Sequence, residues 1–195
     1  MSIRLVDVMA GYASQTVLNR LSFALPERGA IWVTGPSGRG KTLLLRVLAG
    51  LHRPYSGSME GLGGLRIGMA FQEDRLLPWC TALENVRCVL KKTEESEKTA
   101  REWLSRMELT DVAQSYPDEL SGGMQRRLAL ARALAYGGDL LLLDEPFNGL
   151  DKELRSRVAA HIKSAAPLIV LVSHETEDAE LLGAIPVALN DMMGG

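Results

Sequence analysis

Eight residues, Gly35-Pro36-Ser37-Gly38-Arg39-Gly40-Lys41-Thr42, have the types and spacing to hold a chain of phosphates. The glycines let the backbone wrap tightly, so that consecutive N–H groups point inward at phosphate oxygens. Lys41 reaches the outer phosphates, and the Thr42 hydroxyl is suited to ligate Mg²⁺. The loop follows the apolar run Ile31-Trp32-Val33 and opens into Leu43-Leu44-Leu45-Arg46-Val47-Leu48. A strand therefore leads in and a helix leads out, and the positive end of that helix adds to the anion site. This context distinguishes a nucleoside triphosphate site from a chance glycine-rich turn.

Further groups suit the same chemistry. Asp144-Glu145 closes the apolar run Leu140–Leu143. Two carboxylates there divide naturally into Asp144 for Mg²⁺ and Glu145 as general base toward an attacking water. Gln72 ends the segment Arg66–Phe71, where its amide can touch Mg²⁺ or that water. His174 follows Leu168–Val172; its imidazole can hydrogen-bond a terminal phosphate, or it is an ordinary helix-start residue. Tyr12 offers a ring either for stacking adenine or for core packing. Ser121-Gly122-Gly123 opens a helix pattern, with Ser121 at the cap position and free N–H groups behind it, a second anion-binding turn. One nucleotide cannot easily occupy both turns within one subunit.

The elements that must position these groups alternate. Residues 3–8 and 21–25 read as strands, and Pro26-Glu27-Arg28-Gly29 as a turn before the phosphate loop. The glycine-rich stretch Gly57–Gly64 reads as a connector to a strand at 66–71. The stretch from Gln72 to about Gly122 looks all-helical: Ala100, Trp103, Leu104 and Met107 share a helical face, with Glu94/Lys98 and Glu97/Arg101 paired outside it. Helix patterns over 122–136, 151–165 and 175–182 then alternate with strands at 139–143, 168–172 and 185–189. The continuous apolar runs mark buried parallel strands. The alternation predicts an α/β fold with a largely parallel sheet, ligands sitting at the carboxyl ends of its strands.

Composition narrows the classes. A chain of 195 residues suits one domain with an inserted part, and a net charge of −2 gives no basic field for nucleic acid. Cys80 and Cys88 have no metal-ligand spacing and read as reduced thiols. No apolar run approaches the roughly 20 residues needed to span a bilayer. With a strand-like start in place of a signal peptide, a soluble, intracellular chain is expected, reaching a membrane only through a partner.

Taken together, GPSGRGKT, Gln72 in FQEDRLLPW, Leu120-Ser121-Gly122-Gly123-Met124, LLLLDEP, Asn148-Gly149-Leu150-Asp151 and Ser173-His174-Glu175 stand in an order and spacing that resembles ABC-transporter ATPase subunits. The resemblance covers nearly the whole chain, and LSGGM is specific to that superfamily. It implies a RecA-like P-loop NTPase core over residues 1–72 and 123–195, with antiparallel N-terminal strands and a helical subdomain inserted at about 73–122. It further implies a head-to-tail homodimer that sandwiches two ATP molecules with Mg²⁺. Each ATP would meet Lys41 and Thr42 of one subunit and Ser121–Gly123 of the other. Asp151 would lie in the loop that communicates between the sites, and His174 would be the switch histidine.

The run Tyr116–Met124 is similar to importer subunits. Arg75–Trp79 with Thr81–Val86 resembles the group serving nitrate, sulfonate, taurine and bicarbonate uptake. An integral-membrane permease, indirectly a solute-binding protein, and a place on the cytoplasmic face of the inner membrane follow from that resemblance. Leu76, Leu77 and Trp79 suit a groove for a permease helix, or they pack beneath the helical part. Thr42 stands where Ser is commoner and keeps the hydroxyl. Relatives usually continue well past the His174 strand, so no C-terminal regulatory function and a thin late sheet edge are expected here. The rival readings are an importer subunit for another solute, a soluble ABC ATPase acting on DNA or ribosomes, and an ordinary phosphate-loop kinase or GTPase. The last has no use for LSGGM, and an Asn-Lys-x-Asp guanine-reading motif is absent.

Overall fold

The computed structural model describes residues 2–13 and 15–193. The chain opens with β1 (Arg4–Tyr12), β2 (Gln15–Ala24) and β3 (Gly29–Thr34), then α1 (Lys41–Leu48), β4 (Ser56–Glu60) and β5 (Ile67–Ala70). Next come α2 (Ala82–Arg87), α3 (Glu95–Arg106) and 3-10 turns at Thr110–Val112 and Pro117–Glu119. The remainder alternates: α4 (Gly122–Tyr136), β6 (Leu140–Asp144), α5 (Lys152–Ala165), β7 (Leu168–Val172), α6 (Thr176–Leu182) and β8 (Ile185–Ala188).

Two sheets result. β2, β1 and β4 form an antiparallel sheet in that order, while β5-β6-β7-β3-β8 are all parallel. β4 lies in the stretch whose sequence suggests only a connector. Its residues Ser-Gly-Ser-Met-Glu are nearly all exposed and show no alternation. Pairing with β1, Arg4 opposite Glu60, makes it a strand; a sheet-edge ladder formed this way leaves little mark in sequence.

Both β6 and β7 are buried along their whole length, and alternate side chains enter different cores. Leu141, Leu143, Ile169 and Leu171 join the core made with α4, α5 and the helical region. Leu140, Leu142, Leu168, Val170 and Val172 join the core made with α1 and the antiparallel sheet. A strand covered on both faces has no polar side to show, which is why these runs read as unbroken Leu, Ile and Val.

The region between β5 and α4 is held by local rules as well. Thr81 and Glu84 form a reciprocal capping box at α2: Glu84 N donates to Thr81 Oγ1 (3.2 Å), and Thr81 N donates to the Glu84 carboxylate (2.8 Å). α3 buries Ala100 and Leu104, with Glu97–Arg101 paired on its outer side at 2.7 Å. Asn85, fully buried, donates to Leu77 O, Cys80 O and Thr81 O and accepts from Leu77 N, so it fixes the irregular chain that enters α2.

Register sets the site. Ala70 pairs Leu143, Leu143 pairs Leu171, and Trp32 also pairs Leu171. The four strands therefore end level, and the segments after them emerge on one edge.

Candidate active site

That edge encloses a cavity of about 540 Å³. Lys41 and Thr42 line it from the phosphate loop, Gln72 from the end of β5, Asp144 and Glu145 from β6, and His174 from β7. Tyr12, Gln15 and Val17, from the turn between β1 and β2, close the other end beside Ser37, Gly38 and Gly40. Gln15 and Val17 have no chemistry that would mark them in sequence; the hairpin alone brings them there.

The phosphate loop is held around its lysine. Lys41, only 7% exposed, donates from Nζ to Gly35 O (2.6 Å) and Pro36 O (3.1 Å). Gly35 and Pro36 thus act through their carbonyls, while Arg39 is exposed and outside the cavity lining. Gly40 caps α1 with φ +99°. A Cβ there would stand 2.8 Å from Val17 Cγ1 and 3.0 Å from Leu18 Cδ2, so both conformation and space require glycine.

The carboxylates differ in setting. Burial pushes the Asp144 carboxyl above its ordinary value, against the pull of the Thr42 hydroxyl and of the charges on Arg126, Arg46 and Lys41. Its Oδ2 is buried without a hydrogen-bond donor. Burial likewise raises Glu145, opposed by the His174 backbone N–H and imidazole. His174 N donates to Glu145 Oε2 at 3.4 Å, and Nε2 lies 3.5 Å from Oε1, a charged pair only when the imidazole is protonated. Glu145 N donates to Val172 O, and Trp32 Nε1 donates to Ser173 O, which ties the ends of β6, β7 and β3 together. A raised carboxylate beside a phosphate cradle is suited to take a proton from water.

Tyr12 is 47% exposed, receives a hydrogen bond from Arg46 and meets His52 edge-on at 5.3 Å. Its ring is therefore at the cavity mouth and not in the core. Leu76, Leu77 and Trp79 part ways: Leu76 packs on the larger core, Leu77 lines a separate apolar groove with Met69, Phe71 and Tyr136, and Trp79 is 73% exposed.

Ser121, Gly122, Gly123 and Asp151 do not line the cavity. Ser121 caps α4, its Oγ accepting from Met124 N at 3.3 Å, and the N–H groups of Gly122 and Gly123 lie ahead of the helix's own ladder. Asp151 caps α5, accepting from Leu154 N at 2.9 Å.

The sequence reading passed over two arginines of α4. Arg126 donates to carbonyls of Phe71, Gln72, Asp144 and Glu145, and Arg132 donates to those of Asp74 and Arg75. Charged residues spaced through a helix of Leu and Ala are the signal that could have found them.

Known proteins resemble this chain in sequence and in fold. Residues 18–148, more than half of the chain, match the ABC transporter family. The chain belongs to that family. Among curated ABC relatives, an aliphatic sulfonates import ATP-binding protein of Rhodococcus jostii (strain RHA1) is 39% identical, over 96% of this chain and 78% of that protein. A taurine import ATP-binding protein of Rhizobium johnstonii is 37% identical, over 91% of this chain and 73% of that one. Among solved structures, a dimeric ATP-binding cassette in a post-hydrolysis state bound to ADP and Pi superposes with a TM-score of 0.83. It is 28% identical and covers 92% of this chain and 90% of its own. A dimeric bacterial ABC transporter cassette gives 0.84 at 28% identity, covering 96% and 94%. The α/β phosphate-loop fold, with its parallel sheet and separate antiparallel sheet, is that of these ABC cassettes.

Proposed function

We propose that this chain is the ATP-hydrolysing subunit of an ABC import system for small anions of the sulfonate, taurine or nitrate type. It would work as a head-to-tail homodimer on the cytoplasmic face of the inner membrane, beneath an integral-membrane permease that a solute-binding protein supplies. The observation that carries the reading is the incomplete site. Lys41 and Glu145 share a cavity that the anion-suited turn Ser121–Gly123 does not line, so a second copy would bring that turn to the first copy's nucleotide.

Tyr12 stacks on adenine at the mouth, while the backbone of Gly35–Thr42 and the Lys41 ammonium hold the phosphates. Mg²⁺ arrives with ATP as part of the substrate; Thr42, Gln72 and Asp144 would hold it, and the donor-less Asp144 Oδ2 is an oxygen that a cation satisfies. Bound there, the ion neutralises charge on the phosphates. Glu145 takes the proton from water, and His174 steadies that carboxylate through its backbone N–H and touches the terminal phosphate. The carbonyl geometry of Gly35 and Pro36 keeps Lys41 aimed. Asp151, at the start of α5, meets the partner across the dimer. Closing the dimer requires both faces of the sandwich, so ATP favours the closed state by differential affinity.

The core at residues 1–72 and 123–195 would carry the nucleotide. The helical part at about 73–122, with Leu77 lining the apolar groove and Trp79 exposed, would receive the permease. No helix among the described residues is long and apolar enough to cross a membrane, which accords with a peripheral subunit. The test is twofold. Purified chain should hydrolyse ATP in the presence of Mg²⁺, and cells lacking it should lose uptake of labelled taurine, an alkanesulfonate or nitrate. Uptake of all three unchanged would sink the solute assignment; absent hydrolysis would sink the ATPase.

A further inference from the structure

Arg126 is the most heavily engaged buried charge in the described structure that the mechanism above leaves unused. Its side chain is 9% exposed and lines no part of the nucleotide cavity. Nη1 donates to Phe71 O (2.6 Å), Gln72 O (3.0 Å) and Asp74 Oδ1 (3.1 Å). Nη2 donates to Asp144 O (2.9 Å) and to Glu145 O. One planar guanidinium thus joins the chain around Gln72 to the turn that carries Asp144 and Glu145.

We propose that Arg126 is a positioning residue for hydrolysis: it locks the Gln72 segment and the Glu145 turn to α4 in one fixed arrangement. Three observations carry this. Glu145 has φ +52°, a left-handed conformation that is strained for a non-glycine residue. A turn of that kind persists only when its surroundings hold it, and Arg126 donates to the carbonyl of the strained residue itself, beside the Glu145 N to Val172 O bond. Second, four of the five acceptors are carbonyls, two on each of two separate segments, a spread that suits the five fixed donors of a guanidinium fork better than the three of an ammonium. Third, Arg126 lies about 6 Å along α4 from Gly122 at the helix rise of 1.5 Å per residue. The helix that presents the Ser121–Gly123 turn to a partner's nucleotide therefore grips the general base of its own site. Any displacement of α4 on dimer closure is felt at Gln72 and Glu145 through this clamp.

The inference rests on the ATPase reading, and the experiment separates the two. Full-length chain, Arg126→Met, Arg126→Lys and Asp74→Asn are compared for melting temperature, affinity for a fluorescent ATP analogue, and kcat. Displacing a catalytic group by about 1 Å costs on the order of a hundredfold. Arg126→Met should accordingly lose about ten- to a hundredfold in kcat, with nucleotide affinity within about threefold of the parent. Arg126→Lys keeps the charge and length and should fold even if the methionine variant does not; it should still lose at least about fivefold in kcat at unchanged affinity. Asp74→Asn removes the ion pair but spares the carbonyl contacts and should stay within about threefold. Parent-like kcat in Arg126→Lys, or a kcat loss matched by loss of nucleotide affinity, overturns the positioning role while leaving the ATPase intact. No turnover by the parent chain overturns both.

Discussion

Gly40 and Gly122 each stand at the start of a helix that follows a glycine-containing turn, but the fold makes opposite demands on them. Gly40 sits at φ +99°, with Val17 and Leu18 closed over the place a side chain would take. Gly122 has no positive φ and nothing within 4 Å of an added Cβ, and beside it Gly123 has only Gly149 O, at an ordinary 3.6 Å. The first turn is shaped by its own chain, around a lysine that its own carbonyls hold. The second is open, exposed and capped only by Ser121. Among the described residues nothing requires glycine there, and the space beside it is open to an approaching group.

That contrast can be broken or sharpened by substitution. The largest effect is expected at Glu145, the proposed base beside the first turn. Glu145→Gln should lose about 10²- to 10⁴-fold in hydrolysis while retaining ATP, so a dimer should accumulate in size-exclusion chromatography with Mg²⁺ and ATP. Monomer alone under those conditions would remove the need for a second, external turn. Ser121→Arg comes next, with a loss of about a hundredfold in turnover and near-normal nucleotide binding by the monomer. Equal loss of turnover and binding would make the second turn merely structural.

Paired glycine substitutions address the turns directly. Gly40→Ala should lower stability by about 1–3 kcal/mol, from backbone strain and contact with Val17, and weaken nucleotide binding; thermal melts and titration measure both. Gly122→Ala should leave the melting temperature unchanged or raise it, since alanine is favoured over glycine in a helix by up to about 1 kcal/mol, yet lower ATP turnover. Equal destabilisation by the two would erase the contrast.

The smallest effect concerns the place where a side chain of α3 meets one of α5. His161 meets Trp103 edge-on at 6.3 Å, and Arg106 lies over the same ring. Burial, with the Arg106 charge, pulls the His161 imidazole below its ordinary value. The fold thus favours the neutral ring. Its contribution is full above the unfolded value of about 6.5 and lost as pH falls below it. His161→Gln should flatten the decline in melting temperature between pH 7 and 5 by a small amount. An unchanged decline would show that this contact does not sense the proton.

Much of the architecture was legible because it rests on periodicity and punctuation. The buried runs 140–143 and 168–172 have two covered faces, and α4 lies between a serine cap and Gly137. β4 was not legible, because its residues are exposed and only pairing with β1 makes them a strand. Nor was the role of Leu76, since an apolar residue in a loop carries no sign of whether it turns inward or toward a groove. Arg126 was hidden for another reason: its partners are mostly backbone carbonyls, and those have no letter in the sequence.

Residue types and their order were enough to show the chemistry on offer: a glycine-wrapped lysine and threonine, two carboxylates after a buried strand, and a second glycine turn at the start of a helix. Residue type dictates what a group can donate, accept or neutralise, and local spacing dictates the strand, loop or helix that presents it. Tertiary structure decided which of these groups share a cavity and which lie outside it. Level strand ends bring Lys41, Gln72, Asp144, Glu145 and His174 together, while α4 carries Ser121–Gly123 out to solvent. That division depends on strand register and on which helix covers which face. Both follow from contacts between residues far apart in the chain, and no local pattern encodes them.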